Sequence, residues 1–408
     1  MIKKLIISSL LLFFGLLSVG TSQTQNAFTQ VNNNPKADAI RPSLVLEKNG
    51  TPIVAWLENV SGVYHVFVKR WTGTKWQPLG GRLNRDASFN SFNVSLAISK
   101  DDAPYVSWTE RSNINSGFDG KGKGPGKVYV ARWTGSSWNA YPSPSKKENS
   151  AGDLPSLRVD SKGYPVLAWS ELTPDFNADS YFVERWDGTQ WLNIDPGSLS
   201  SDISHASRSR ELSVNSKDQP ILAWSVQKYI PNKGPQDFNV YIGGWDGAHW
   251  SPLGETSLNL NKERYAAQPS FDLDSNDYPV IAWLEATLGF DVAAKRWDGT
   301  TWQRLGKTIN NATGLASSPR LRLDPNNRPY VAWVENAGSL KVMVVRWENN
   351  AWKKLGTFLN ISPKSYAATP SLAVTWSGVP VVAWSEEITQ TQQRVYVRQW
   401  NGKAWVGL

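Results

Sequence analysis

The sequence predicts an all-β protein, a single seven-bladed β-propeller built from four-stranded antiparallel blades. Three observations predict it. A motif of the form Pro-x-(Val/Leu/Ile)-(Ala/Ser)-Trp recurs seven times, with its tryptophan at Trp56, Trp108, Trp169, Trp224, Trp283, Trp333 and Trp384, 50–61 residues apart. Each copy is followed by alternating apolar residues and a Trp-turn-Trp block, as in Arg185-Trp186-Asp187-Gly188-Thr189-Gln190-Trp191. Each is preceded by a short strand-like segment such as Pro155-Ser156-Leu157-Arg158-Val159-Asp160. Self-similarity at this period marks a repeat architecture, and four short strands per unit is the sequence form of a propeller blade.

The four strands of a unit, A to D, follow in order. Strand A is Ser43-Leu44-Val45-Leu46 in the first unit and turns through Lys48-Asn49-Gly50. Strand B opens at a proline in every unit, where a missing N–H does least damage to the ladder. Strands C and D are joined by Asp-Gly, Asn-Gly, Thr-Gly or, in the sixth unit, Asn349-Asn350, residues suited to the positive φ angles of a two-residue hairpin. No segment sustains a 3.6-residue apolar period, so almost no helix is expected. The units run approximately over residues 40–84, 92–144, 153–198, 209–259, 268–310, 318–360 and 369–408. The chain stops at the end of a D strand, and 28–40 resembles the D-to-A connections elsewhere, so both ends should meet at one seam.

Residues 1–22 read as a signal peptide: Lys3 and Lys4, an apolar run from Leu5 to Val19, then Gly20-Thr21-Ser22. The propeller then occupies 23–408, secreted or periplasmic, with no membrane insertion expected after cleavage because no later stretch is long and apolar enough. There is no cysteine, which excludes disulfides, thiolate metal sites, cysteine catalysis and a lipid-bearing cysteine. Losing Lys3 and Lys4 lowers the formal net charge of +8 by two. Without a dense Lys/Arg block the residual charge argues for an anionic polysaccharide or cell surface rather than nucleic acid.

Several features resemble chemistry and read better as scaffold. Of 22 tryptophans, all but Trp376 occupy the three repeated positions, so they are expected between blades rather than as sugar platforms. A glutamate follows the strand-B tryptophan by two residues at Glu58, Glu110, Glu171, Glu285, Glu335 and Glu386, with Val226 the exception. These should form a broken ring at the mouth, accepting bonds from loop backbone; the alternative is a catalytic acid–base pair, with Glu110 and Glu171 preferred because they flank long loops. Glu47, Asp160, Asp274 and Asp324 occur in the units that carry Arg70, Arg185, Arg296 and Arg346, which predicts acid–arginine bridges on the opposite rim, whereas Ser99 with Arg132 breaks the rule. Asp272, Asp274 and Asp277 loosely resemble a calcium loop but occupy an ordinary A-to-B turn. His65, His205 and His249 are scattered, so no metal site is expected, and no cofactor motif occurs.

If the repeats are scaffold, function should lie where they differ. The B-to-C connections are long in units two, three and four, neighbours on the glutamate face, and they carry Phe118, Asp119, Lys121, Phe176, Tyr229 and Asp237. The D-to-A loops of that face add Arg264, Tyr265 and Tyr366. Aromatic faces among charges suit a polar ligand such as a glycan.

Over its mature length the chain resembles secreted bacterial propeller proteins built from Pro-x-Val-Ala-Trp and Arg-Trp-Asp-Gly-x-x-Trp units, in the neighbourhood of sialidase-type and lectin-like propellers. The sialidase Asp-box is absent, Arg41-Pro42 only echoes the sialidase Arg-Ile-Pro motif, and the Trp-Asp repeat pattern is not matched, so no catalytic residue is carried over. The reading is an exported scaffold binding an extracellular ligand, most readily carbohydrate. The alternatives are a polysaccharide hydrolase or lyase using the mouth glutamates, and a protein-interaction platform in a secreted assembly.

Overall fold

The computed structural model describes residues 30–111, 126–145, 151–172, 179–194, 209–230, 234–254, 257–287, 289–310 and 315–408. Seven blades, each of four consecutive antiparallel strands, span 39–78, 90–140, 151–193, 209–252, 266–304, 316–354 and 367–407. No helix occurs among the described residues. Strand B starts on its proline in all seven blades: Pro52, Pro104, Pro165, Pro220, Pro279, Pro329 and Pro380.

A sheet with two apolar faces must bury both, and circular stacking does so. Seven apolar clusters result, one at each blade-to-blade interface. The cluster between the last and first blades unites Trp56, Val54 and Trp76 with Val381, Ala383 and Val395. The strand-D tryptophans tie the same interfaces through hydrogen bonds to the preceding blade: Trp138 to the Leu79 carbonyl at 2.6 Å, Trp302 to Leu253 at 2.8 Å, Trp352 to Leu305 at 2.9 Å. Among the described residues no strand is exchanged to close the ring, since each blade is made of its own four strands. The seam instead uses packing, the Leu44 N–H on Ser371 Oγ at 2.9 Å, and the Val395 N–H on Asn32 Oδ1 at 3.0 Å.

Blades 2 and 3 make one additional join. Gly126 pairs in parallel with Ala151, and a Cβ on the adjacent Gly152 would lie 2.8 Å from Val128, a distance only glycine permits.

The C-to-D turns differ from the expected geometry in one respect. Positive φ falls on the glycine alone, for example Gly188 at 110° and Gly299 at 100°, while the preceding aspartate lies outside the turn's centre. Its carboxylate caps the turn, Asp187 Oδ1 accepting from the Thr189 and Gln190 amides at 2.7 and 2.8 Å. Only Asn349 and Asn350 are both left-handed, at 51° and 56°.

The fourth blade also departs from expectation. Residues 227–239, anticipated as a long loop, largely continue the ladder: strand B runs Pro220–Ile230 and strand C Gly234–Trp245, with Tyr229 opposite Pro235 beyond a bulge.

Candidate functional site

The recurrent glutamates lie at the B-strand ends on the face of the D-to-A loops, but they do not line an open mouth. Glu58, Glu110, Glu171, Glu285, Glu335 and Glu386 are all buried. Each accepts from the indole of the tryptophan two residues before it, as in Trp108 to Glu110 at 2.6 Å and Trp169 to Glu171 at 3.3 Å. Glu110 also accepts the Arg85 and Asp86 amides at 2.7 and 3.1 Å, and Glu58 those of Asn33 and Asn34, both at 2.8 Å. The carboxylate thus fastens the incoming loop to the strand-B tryptophan. Burial raises the Glu110 carboxyl above the usual glutamate value, and the bonds from Trp108, Arg85 and Asp86 pull it back. In the fourth blade Val226 replaces the acceptor, and Trp224 Nε1 is buried with no hydrogen-bond partner among the described residues.

The central channel holds a second constellation. The innermost strands are Ala39–Leu46, Asn90–Ile98, Ala151–Val159, Ser209–Val214, Ala266–Leu273, Ala316–Leu323 and Ala367–Val374. Together they enclose a cavity of about 690 Å³. In six of them the chain bulges at a left-handed residue: Arg41, Asn93, Leu154, Gln268, Ser318 and Thr369, with φ between 48° and 54°. A bulge re-aims the following side chains, and each non-glycine residue held there costs of order 1 kcal/mol.

Two residues beyond the bulge, Ser43, Ser95, Ser156, Ser270 and Ser371 each accept the innermost-strand amide of the next blade, at 2.9–3.2 Å. The two remaining blades carry Glu211 and Arg320 instead. Two positions further on, where blades 1, 2 and 7 have Val45, Ala97 and Ala373, lie Arg158, Asp272 and Arg322.

Charge therefore collects on one side of the channel. Glu211 bridges Arg158 at 3.1 Å and Arg322 at 2.8 Å. Burial opposes ionisation of Glu211, but Arg322, Arg158 and Arg320 outweigh it and hold its carboxyl below the ordinary value. Burial pushes Asp272 upward, with Arg322 opposing. Arg320 is the odd member. Among the described residues its side chain bonds the Pro319 carbonyl, at 2.9 Å, and forms no ion pair, although Glu211 lies near enough to favour its charge. Towards the glutamate face, Arg41 Nη1 donates to Asn93 Oδ1 at 2.6 Å, Asn93 donates to Asp153, and Asp153 bridges Arg111 at 3.0 Å. Arg111 lies over the Phe92 ring and Arg210 over that of Tyr181, with centroid distances of 5.4 and 4.6 Å.

The residues singled out from sequence fare unevenly. Phe118, Asp119, Lys121 and Phe176 lie outside the described residues, as do His205 and the 1–22 leader. Tyr229 and Asp237 belong to the extended hairpin of blade 4, where the backbone alone is described. Arg264 is exposed and donates to the Thr287 carbonyl at 2.6 Å. Tyr265 is half-buried between Phe238 and Phe290, at 4.9 and 5.5 Å. Tyr366 is exposed and precedes blade 7, whereas Arg264 and Tyr265 precede blade 5. The channel arginines were missed. Aligning the innermost strands would have found them, because Glu211 and Arg320 alone interrupt the serine ring.

Two of the four rim bridges form: Glu47 with Arg70 at 2.6 Å and Asp160 with Arg185 at 3.7 Å. The other two are replaced because nearer partners compete. Asp324 takes Arg328, four residues on in its own turn, and Arg346 takes Glu348, both at 2.7 Å. Arg296 donates to the Asn327 carbonyl while Asp274 Oδ1 caps the Asn276 and Tyr278 amides. Arg132, unpaired by the sequence rule, bridges Asp101 at 3.0 Å. The calcium-like trio divides: Asp272 faces the channel, Asp274 caps its turn, and Asp277 accepts from Ser216 of the preceding blade.

The fold and channel define a seven-bladed β-propeller with a polar, arginine-rich axis. No protein-family model matches the chain, and no curated protein matches it. Solved structures do match. A polysaccharide lyase described as an ulvan lyase is similar at a TM-score of 0.62 and 12% identity, over 91% of this chain and 95% of that one. An α-L-arabinanase from Penicillium chrysogenum matches at 0.52 and 9%, over 75% and 92%. The propeller domain of the trilobed protease from Pyrococcus furiosus, described as having an open velcro topology, matches at 0.54 and 10%, over 91% and 97%. At these identities the likeness is one of fold, and structural neighbours include polysaccharide lyase and glycoside hydrolase propellers.

Proposed function

We propose that this is an exported carbohydrate-recognition protein whose ligand is an anionic glycan, bound in the axial channel. The observation carrying this reading is the channel lining: Arg41, Arg158, Arg210, Arg320 and Arg322 against only Glu211 and Asp272. Guanidinium groups match carboxylate and sulfate in planar, bidentate geometry, and low-dielectric walls concentrate their field. The ulvan lyase neighbour has been solved bound to a saccharide of GlcA and Rha3S, which lends support to an acidic sugar on such a scaffold. Arg264, Tyr265 and Tyr366, on the glutamate face, would extend the contact beyond the channel.

A glycan array with neutral, uronate-containing and sulfated oligosaccharides tests the reading. Retention of acidic glycans, weakened by salt and by Arg320→Gln but preserved in Glu110→Gln and Glu171→Gln, is the expected result. Equal retention of neutral glycans, or none at all, would refute it. Depolymerisation abolished by the two glutamate substitutions would transfer the function to a hydrolase or lyase.

A further inference from the structure

The face opposite the glutamates carries a groove at the seam between blades 7 and 1. It has a volume of about 660 Å³ and is lined by Trp376, Trp71, Arg70, Asn49, Thr51 and Gln399, among others. Trp376 is the one tryptophan outside the repeat, and it is 74% exposed, in the A-to-B turn of blade 7. Burying an indole is strongly favourable, so one left this open on a rigid turn has a flat apolar face free for a partner.

Three local features leave the groove open. In blades 3 and 5 the residue before the strand-B proline is a tyrosine that fills the space beside the C-to-D glycine. A Cβ on Gly188 would meet Tyr164 Oη at 3.0 Å, and one on Gly299 would meet Tyr278 Oη at 2.7 Å. In blade 1 the equivalent is Thr51, and a Cβ on Gly73 would find nothing within 4 Å. At four other interfaces the A-to-B turn is tied to the next blade, with the Lys48, Ser161, Ser216 and Ser275 amides donating to Asp102, Asp218, Asp277 and Asn327. Trp376 occupies that donor position in blade 7, and its acceptor position in blade 1 is Gly50, which has no side chain to offer. Blade 7 also replaces the rim acid and arginine by Thr375 and Gln399. Gln399 makes no side-chain hydrogen bond among the described residues, and the partly exposed Arg70 guanidinium is held in place by Glu47 at 2.6 Å.

We propose that this groove is a second saccharide site, taking a neutral pyranose whose ring C–H face stacks on Trp376 while its hydroxyls bond Gln399 and Arg70. An indole plane beside amide and guanidinium donors matches a sugar, which presents one apolar face and an equatorial rim of hydroxyls. The site is independent of the channel: it depends on stacking, so its binding persists at high salt.

The test is tryptophan fluorescence titration of the full chain with cellohexaose, laminarihexaose and mannohexaose in 0.5 M NaCl, where charge-driven binding is screened. A saturable change with at least one of the three is expected. Trp376→Ala should weaken it tenfold or more, and Thr51→Tyr, which fills the groove as Tyr164 and Tyr278 do in their blades, should abolish it. Arg320→Gln should leave it unchanged, separating this site from the channel. No saturable change with any of the three, or equal affinity in Trp376→Ala and Thr51→Tyr when both melt as wild type, would overturn the proposal.

Discussion

The Trp76 indole donates to the Leu408 carbonyl at 3.4 Å, joining residues 332 positions apart. The same bond links each strand-D tryptophan to the blade before it, as Trp405 to Leu355 at 2.7 Å and Trp191 to Pro142 at 2.8 Å. The seam is therefore an ordinary interface made by the two ends of the chain. A repeat closes into a ring without strand exchange when its last copy presents the same groups as every other.

The tryptophan–glutamate pair predicts an asymmetry among blades. Trp283 donates to Glu285 at 2.7 Å, whereas Trp224 faces Val226 and has no such acceptor. Trp283→Phe strands a buried carboxylate lone pair and should cost about 1–3 kcal/mol more than Trp224→Phe. Paired urea denaturation curves measure this; equal losses would contradict the fastening role of the glutamate.

The C-to-D glycines predict a second asymmetry. Gly299 and Gly402 have similar positive φ, 100° and 94°, so alanine strains both backbones by roughly 1–2 kcal/mol. Only at Gly299 does the added methyl also strike a ring, that of Tyr278. Gly299→Ala should therefore lower the melting temperature more than Gly402→Ala, and the reverse order would refute the packing.

Acid should loosen the same turns. The Gln190 and Thr189 amides hold the Asp187 carboxyl below its ordinary value, as His249 and Ala248 do for Asp246, and Thr301 and Thr300 for Asp298. A depressed folded value means that the folded state binds fewer protons than the unfolded chain in that range. The stabilisation is complete above the unfolded aspartate value of about 4 and is lost as pH falls through the lower folded values. Melting temperatures between pH 5.5 and 2.5 should fall less steeply in the triple variant Asp187→Asn, Asp246→Asn, Asp298→Asn, whose amides still cap but do not titrate. Identical slopes would show that these carboxylates do not govern the acid limb.

The fold was legible because its determinants are local and repeated: a proline opening strand B, three tryptophans per unit, a glycine or asparagine at each hairpin. The structural duty of the glutamates was legible too, since one group recurring in six units points to a shared task. What sequence concealed were choices among competitors. Asp324 had both Arg346 and Arg328 within reach, and only the turn geometry selects Arg328. The extended hairpin of blade 4 was hidden because Gly234 and Pro235 read as loop chemistry. The channel escaped notice for a different reason. Arg158 and Arg322 sit two residues past a small or charged position on a short strand, a pattern equally suited to solvent, and only the ring turns that edge into an axis.

Calorimetric titration of the protein with a sulfated or uronate hexasaccharide, for wild type and Arg320→Gln, tests the central claim most directly. Glu211 keeps its bridges to Arg158 and Arg322 when Arg320 is replaced, so the loss should leave folding intact while weakening binding about tenfold and flattening the salt dependence. Unchanged affinity in a folded Arg320→Gln protein, or affinity indifferent to salt, would contradict recognition of an anionic glycan by the channel.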